Sequence, residues 1–133
     1  MNLKLSFSLG IGLVGAVLAG CQSTMVHRTY EGLPRTEFDI HVSCSEPSQN
    51  FMGTVTTDGH PVKLSGTGQN TYHFIGHELS CAFKQVDAQG MITLSVEVAG
   101  QKIGTVNNTG RFGGVRAEIL RTPTESHEVF TTY

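Results

Sequence analysis

The chain has no tryptophan, and only four prolines and three cysteines in 133 residues. It has no Cys-x-x-Cys spacing, which excludes the usual redox-active cysteine pair. Charge is sparse at 15% of residues, with no long run of either sign and no basic patch, so nucleic acid is not an expected partner. There is no Gly-x-Ser-x-Gly nucleophile elbow. The carboxylates are scattered on outward positions rather than paired for glycan cleavage. These absences point to a protein that is not an enzyme and carries no cofactor. Beyond position 35 no segment shows a 3.6-residue apolar period, so helices are not expected there.

One long apolar run is present, and it lies at the start. Lys4 and the free amine form a short positive region, Leu5 to Val17 is uncharged and mostly apolar, and Leu18-Ala19-Gly20 supplies small residues. These are the three parts of an export signal, and the run is short and Gly-rich for a permanent membrane span. Lys4 is the one charged residue of the first twenty. The remainder holds eight cationic and eleven acidic residues, a net charge of −3. That remainder of 113 residues has room for one hydrophobic core.

Leu18-Ala19-Gly20-Cys21 resembles the lipobox of bacterial lipoproteins. The resemblance covers the first twenty-odd residues and implies diacylglycerol on the Cys21 sulfur, cleavage between Gly20 and Cys21, and acylation of the new amine. Two or three acyl chains hold a protein stably on a bilayer where one does not. Gln22, in place of an aspartate after the cysteine, favours the outer membrane and its periplasmic face in a host with two membranes. The resemblance therefore implies a covalent lipid and a bilayer as the first partner. The expected function is a non-catalytic domain that binds another envelope component, a protein, as the second partner.

The remaining chain reads as a tether over 21–35, a domain over 36–121 and a polar tail over 122–133. Phe38, Ile40, Val42 and Cys44 alternate with Asp39, His41 and Ser43, the two-residue period of a half-buried strand. Strands are also expected at 51–57, 61–65 with Val62 and Leu64 inward, 71–76, 79–84, 92–98, 102–106 and 115–121. Turn signals separate them at Thr57-Asp58-Gly59-His60, at Asp87-Ala88-Gln89-Gly90, which reads as a hairpin turn, and at Ala99-Gly100 and Asn107-Asn108-Thr109-Gly110. Sixteen glycines suit that many turns. The tail either adds an edge strand or stays loose. Seven or eight short strands give an all-β fold, a small antiparallel sandwich or barrel. An immunoglobulin-type core is excluded because no tryptophan can pack on a bridge.

Four sets of residues carry candidate chemistry. Lipidation takes Cys21, which leaves Cys44 and Cys81 as an even pair in an oxidising compartment. A disulfide between them would close 38 residues, worth about 3–4 kcal/mol. His73 and His77, with His41, form the best candidate metal site and the alternative function, a periplasmic metal- or small-ligand-binding lipoprotein. On a strand, however, His73 and His77 would stand about 13 Å apart and could not share one ion without a bulge at Gly76. Met25 and Met52 are possible soft ligands for copper, without any clustered motif. Arg111 and Phe112, in the Gly-rich run 110–114, form the candidate partner contact.

Overall fold

The computed structural model describes residues 30–87 and 89–133. The segment read as an export signal, Gly20, Cys21, most of the segment read as a tether, and Ala88 lie outside the described residues. Among the described residues nine strands are present: β1 (Thr36–Cys44), β2 (Asn50–Thr57), β3 (His60–Thr67), β4 (Gln69–Gly76), β5 (Glu78–Gln85), β6 (Ile92–Val98), β7 (Gln101–Asn108), β8 (Gly114–Arg121) and β9 (Ser126–Thr132). They form two antiparallel sheets, one of four strands in the order β4-β1-β6-β7 and one of five in the order β3-β2-β5-β8-β9. The fold is an all-β sandwich. Among the described residues no helix is long and apolar enough to cross a membrane.

The two-residue period explains the layering. Phe38, Ile40 and Val42 of β1 and Ile92, Leu94 and Val96 of β6 face inward from one sheet. Phe51 and Val55 of β2, Leu79, Cys81 and Phe83 of β5, and Val115, Ala117 and Ile119 of β8 face them from the other. A one-residue slip in any strand would turn its whole apolar set to solvent, so burial pins the register. Phe51 and Phe83 meet edge to face, 5.9 Å between centroids, in the arrangement favoured by aromatic quadrupoles.

Local turn chemistry places the hairpins. Asp58 and Gly59, at φ 49° and 86°, join β2 to β3 in the left-handed pair that a two-residue hairpin requires. Ala99 and Gly100 (φ 51° and 83°) do the same between β6 and β7. Gly104 of β7 has no side chain because the Phe130 ring of β9 occupies that space; a Cβ there would lie 2.2 Å from the ring. This contact closes one open side of the sandwich.

Three sequence expectations need correction. Residues 87–90 do not turn a hairpin, because β5 pairs with β2 and β8, and the chain crosses to the other sheet before β6. Val62 has the inward parity but sits on edge strand β3 and is 42% exposed, while Leu64 packs on the core. Cys44 and Cys81 are free thiols rather than a disulfide. Cys81 sits mid-sheet between Val55 and Ala117. The chain leaving β1 instead meets Gln85, four residues further along β5, through Gln49 and Ser45. Four residues of strand span about 13 Å, whereas a disulfide needs Cα atoms within about 7 Å. The last residues resolve the two options for the tail: Ser126–Thr132 pairs with β8 as an edge strand.

Candidate functional site

The end of the sandwich where β1, β5 and β7 finish is organised by two buried glutamines. Gln85 is fully buried, and its amide nitrogen donates to the carbonyls of Gly90 and Gly110, each at 3.2 Å. Its oxygen accepts from Gln49 Nε2. Gln49 Oε1 in turn accepts from Ser45 Oγ at 3.1 Å and the Glu46 amide at 3.3 Å. Three of the four connections that cross between sheets at this end, 45–49, 86–91 and 109–113, are thereby tied to one buried polar cluster, and the fourth, at Gly68, donates its amide to the Gln49 carbonyl at 2.8 Å. Buried amides with all partners supplied hold loops in one arrangement.

The loop 109–113 presents the sequence-predicted contact residues on that platform. Asn108 Oδ1 accepts from the Gly110 amide at 2.8 Å, and Asn108 Nδ2 donates to the Gly114 carbonyl at 3.0 Å. The Gly113 amide closes a turn on the Gly110 carbonyl at 2.9 Å. Phe112 occupies this turn at φ 51° and is 51% exposed. A bulky side chain in the left-handed region costs about 1–2 kcal/mol. The Arg111 guanidinium lies 5.9 Å from the ring centroid. The result is an outward cation–aromatic pair at a fixed position. Exposed Val86 flanks the loop, because the neighbouring Gln85 amide donates to the Gly113 carbonyl at 3.0 Å.

The opposite end has a second constructed corner, built on Asp58 of the β2–β3 turn. Its carboxylate accepts from the amides of His77 (2.9 Å) and Glu78 (2.8 Å) and from His77 Nδ1 (3.0 Å). Partial burial raises the Asp58 carboxyl, but these hydrogen bonds and the His77 charge outweigh it and hold its pKa below the usual value. His77 is buried, and its Nε2 donates to the Leu33 carbonyl at 3.1 Å. Tyr30 stacks on the His77 ring at 4.6 Å and donates to Glu78 Oε1 at 3.1 Å. The end of the segment read as tether is therefore packed onto the domain. Sequence reading missed Asp58 and Tyr30 as partners of this corner. The Asp-Gly turn was visible, but not what its carboxylate would reach.

The three candidate metal-binding histidines do not converge. His77 is enclosed in the corner just described. His41 and His73 lie on the outer face of the four-stranded sheet, in successive cross-strand rows, where His41 pairs with Thr71 and His73 with Asp39. His73 Nδ1 donates to Asp39 Oδ1 at 2.7 Å, and this bond raises the histidine's pKa, aided by the charges of Asp39 and Glu37. His41 is 3.0 Å from Thr71 Oγ1 and 3.2 Å from Glu97. Among the described residues no three His, Cys, Asp or Glu side chains gather at one point. Gly76 has no bulge in its pairing with Thr36, so the geometry that would have joined His73 to His77 is not formed. Met52 is exposed on the other sheet, far in the topology from any of these histidines.

Burial controls the two thiols. It pushes Cys81 up to about 12, and it raises Cys44 together with the charge of Asp87. A thiol that resists ionisation is a poor nucleophile and a poor metal ligand. Both cysteines serve the core as small apolar side chains. No family model, no curated protein and no solved structure matches this chain.

Proposed function

We propose that the protein is a lipid-anchored component of a bacterial envelope, with a non-catalytic β-sandwich that binds another envelope component through the Arg111–Phe112 loop. The observation that carries the anchoring is Leu18-Ala19-Gly20-Cys21 at the end of an export signal. A thioether-linked diacylglycerol at Cys21 supplies the membrane affinity. Gln22 favours placement at an outer membrane, facing the periplasm. The described chain begins at Tyr30, packed against the sandwich, so few residues separate the acylated cysteine from the folded domain. Binding is supported by the strained, exposed Phe112 beside Arg111, held on a rigid polar platform; exposed aromatic and arginine side chains are the common anchors of interfaces.

The anchor and the contact are tested separately. Metabolic palmitate labelling and membrane fractionation should follow the wild-type chain and be lost together in Cys21→Ser. Globomycin should cause the uncleaved precursor to accumulate. Membrane fractionation unchanged by the substitution would refute the anchor. For the contact, a photocrosslinking residue at position 112 should capture a specific envelope protein, and Arg111→Glu should abolish that product. Equal capture from a control position on the outer face of β6 would refute the loop as the contact.

A further inference from the structure

The outer face of the five-stranded sheet has an uneven distribution of charge. Registers across β3, β2, β5, β8 and β9 arrange its outward residues in rows. The row nearest the Phe112 end runs Ser65, Met52, Lys84, Gly114, and the next runs Lys63, Thr54, Ala82, Arg116, Thr131. The third runs Pro61, Thr56, Ser80, Glu118, Val129, and the fourth contains Asp58, Glu78, Leu120 and His127. Every charged side chain in the first two rows is positive, and every side-chain carboxylate is in the last two. Among the described residues Lys63, Lys84 and Arg116 form no ion pair with a carboxylate, and neither does Glu118 with a cation.

Shape follows the same division. The basic half stands proud, with Met52 and Lys84 exposed and Arg116 stacked 4.9 Å from the centroid of the exposed Tyr133 ring. The acidic half is recessed as an open groove lined by Glu78, Ser80, Glu118, Leu120 and His127. Thr54, Thr56, Ser80 and Ala82 between them are small, so nothing bulky holds an approaching sheet away.

We propose that this face pairs with the same face of a second copy of the chain. A two-fold axis running across the strands between the second and third rows, at the level of Cys81 and Ala117, maps each basic row onto an acidic one. Arg116 then meets Glu118 of the second copy, and Lys84 meets Glu78. Each pairing occurs twice, as an isologous interface requires. The protruding basic half enters the groove of its counterpart. Face-packed sheets lie about 10 Å apart, a distance these side chains bridge. The face covers roughly 600 Å² per copy from strand spacing and rise, slightly below a standard interface, so the dimer is weak and sensitive to salt. Confinement of both copies to one bilayer would strengthen it through effective concentration. The pairing does not depend on that anchor.

The test is a charge exchange in the full chain, purified in nonionic detergent and followed by sedimentation velocity and amine-independent photocrosslinking from position 54. Wild type should self-associate at low salt, with association falling about tenfold or more at high salt. Arg116→Glu should abolish the dimer by placing two acidic pairs in contact, and Arg116→Glu/Glu118→Arg should restore it. Circular dichroism and thermal unfolding of the single variant verify that the fold persists. If Arg116→Glu does not fold, Lys84→Glu with its Glu78→Lys partner provides the same comparison. A monomer at every concentration and salt would overturn the proposal. So would a dimer indifferent to both exchanges, or the absence of a self-crosslink from position 54 at low salt.

Discussion

Asp58 illustrates how one side chain gathers several roles. It sits in the left-handed region that its turn requires and also accepts three hydrogen bonds that fasten the β4–β5 crossing. Its folded pKa lies below the unfolded value, so the stabilisation is complete above about pH 4 and is lost as pH falls through the folded value. Asparagine suits the same turn conformation, so Asp58→Asn isolates the charge. It should cost about 2–3 kcal/mol at pH 7 by chemical denaturation, and the difference from wild type should shrink toward zero in acid. Tyr72 presents the opposite case. Its ring stacks on Phe83, but its hydroxyl is buried with no hydrogen-bond partner among the described residues, and burial raises its pKa. Tyr72→Phe should therefore leave stability unchanged or raise it by about 1 kcal/mol. His73 should titrate above an ordinary histidine in NMR, and Asp39→Asn should bring it down, since the Asp39 bond is the largest cause of its shift. None of these pairings could be read along the chain, because Asp58 and His77, or Asp39 and His73, are brought together by strand register.

At the scale of elements, strand positions were largely legible because alternation directly reports a sheet with one buried face. The period over Phe38–Cys44 and Ile92–Val98 matched β1 and β6 closely. Pairing partners were not legible. An Asp-Ala-Gln-Gly segment has the composition of a hairpin turn, but here it carries the chain between sheets, since turn residues encode a reversal and not its destination. The contact between β7 and β9 was equally hidden, because it depends on a missing side chain meeting a ring from a distant strand. Gly104→Val should displace Phe130 and lower stability by about 2–3 kcal/mol, with increased amide exchange in β9 relative to β5. Ala99 occupies the first position of its turn at φ 51°, so Ala99→Gly should relieve strain and raise the unfolding midpoint, an effect of about 1 kcal/mol.

For the whole molecule, the thiols provide a direct check of how the two sheets are placed. Cys44 and Cys81 should both react with an alkylating reagent in denaturant without reductant, and reductant should leave the unfolding midpoint unchanged. A bridged pair would require β1 to shift along β5 by about four residues. The expectation of a bridge rested on inward parity and an oxidising compartment, but parity says nothing about height along a strand. Sequence alone determined the all-β class, the inward set of apolar residues and the exposed Arg111–Phe112 loop, because each is encoded within a few consecutive residues. Tertiary structure decided which strands share a sheet, that the thiols miss one another, that the histidines separate, and that the outer face of one sheet carries its cationic and carboxylate side chains on opposite halves. Those properties depend on register between segments tens of residues apart, and register is set by how two apolar faces fit together.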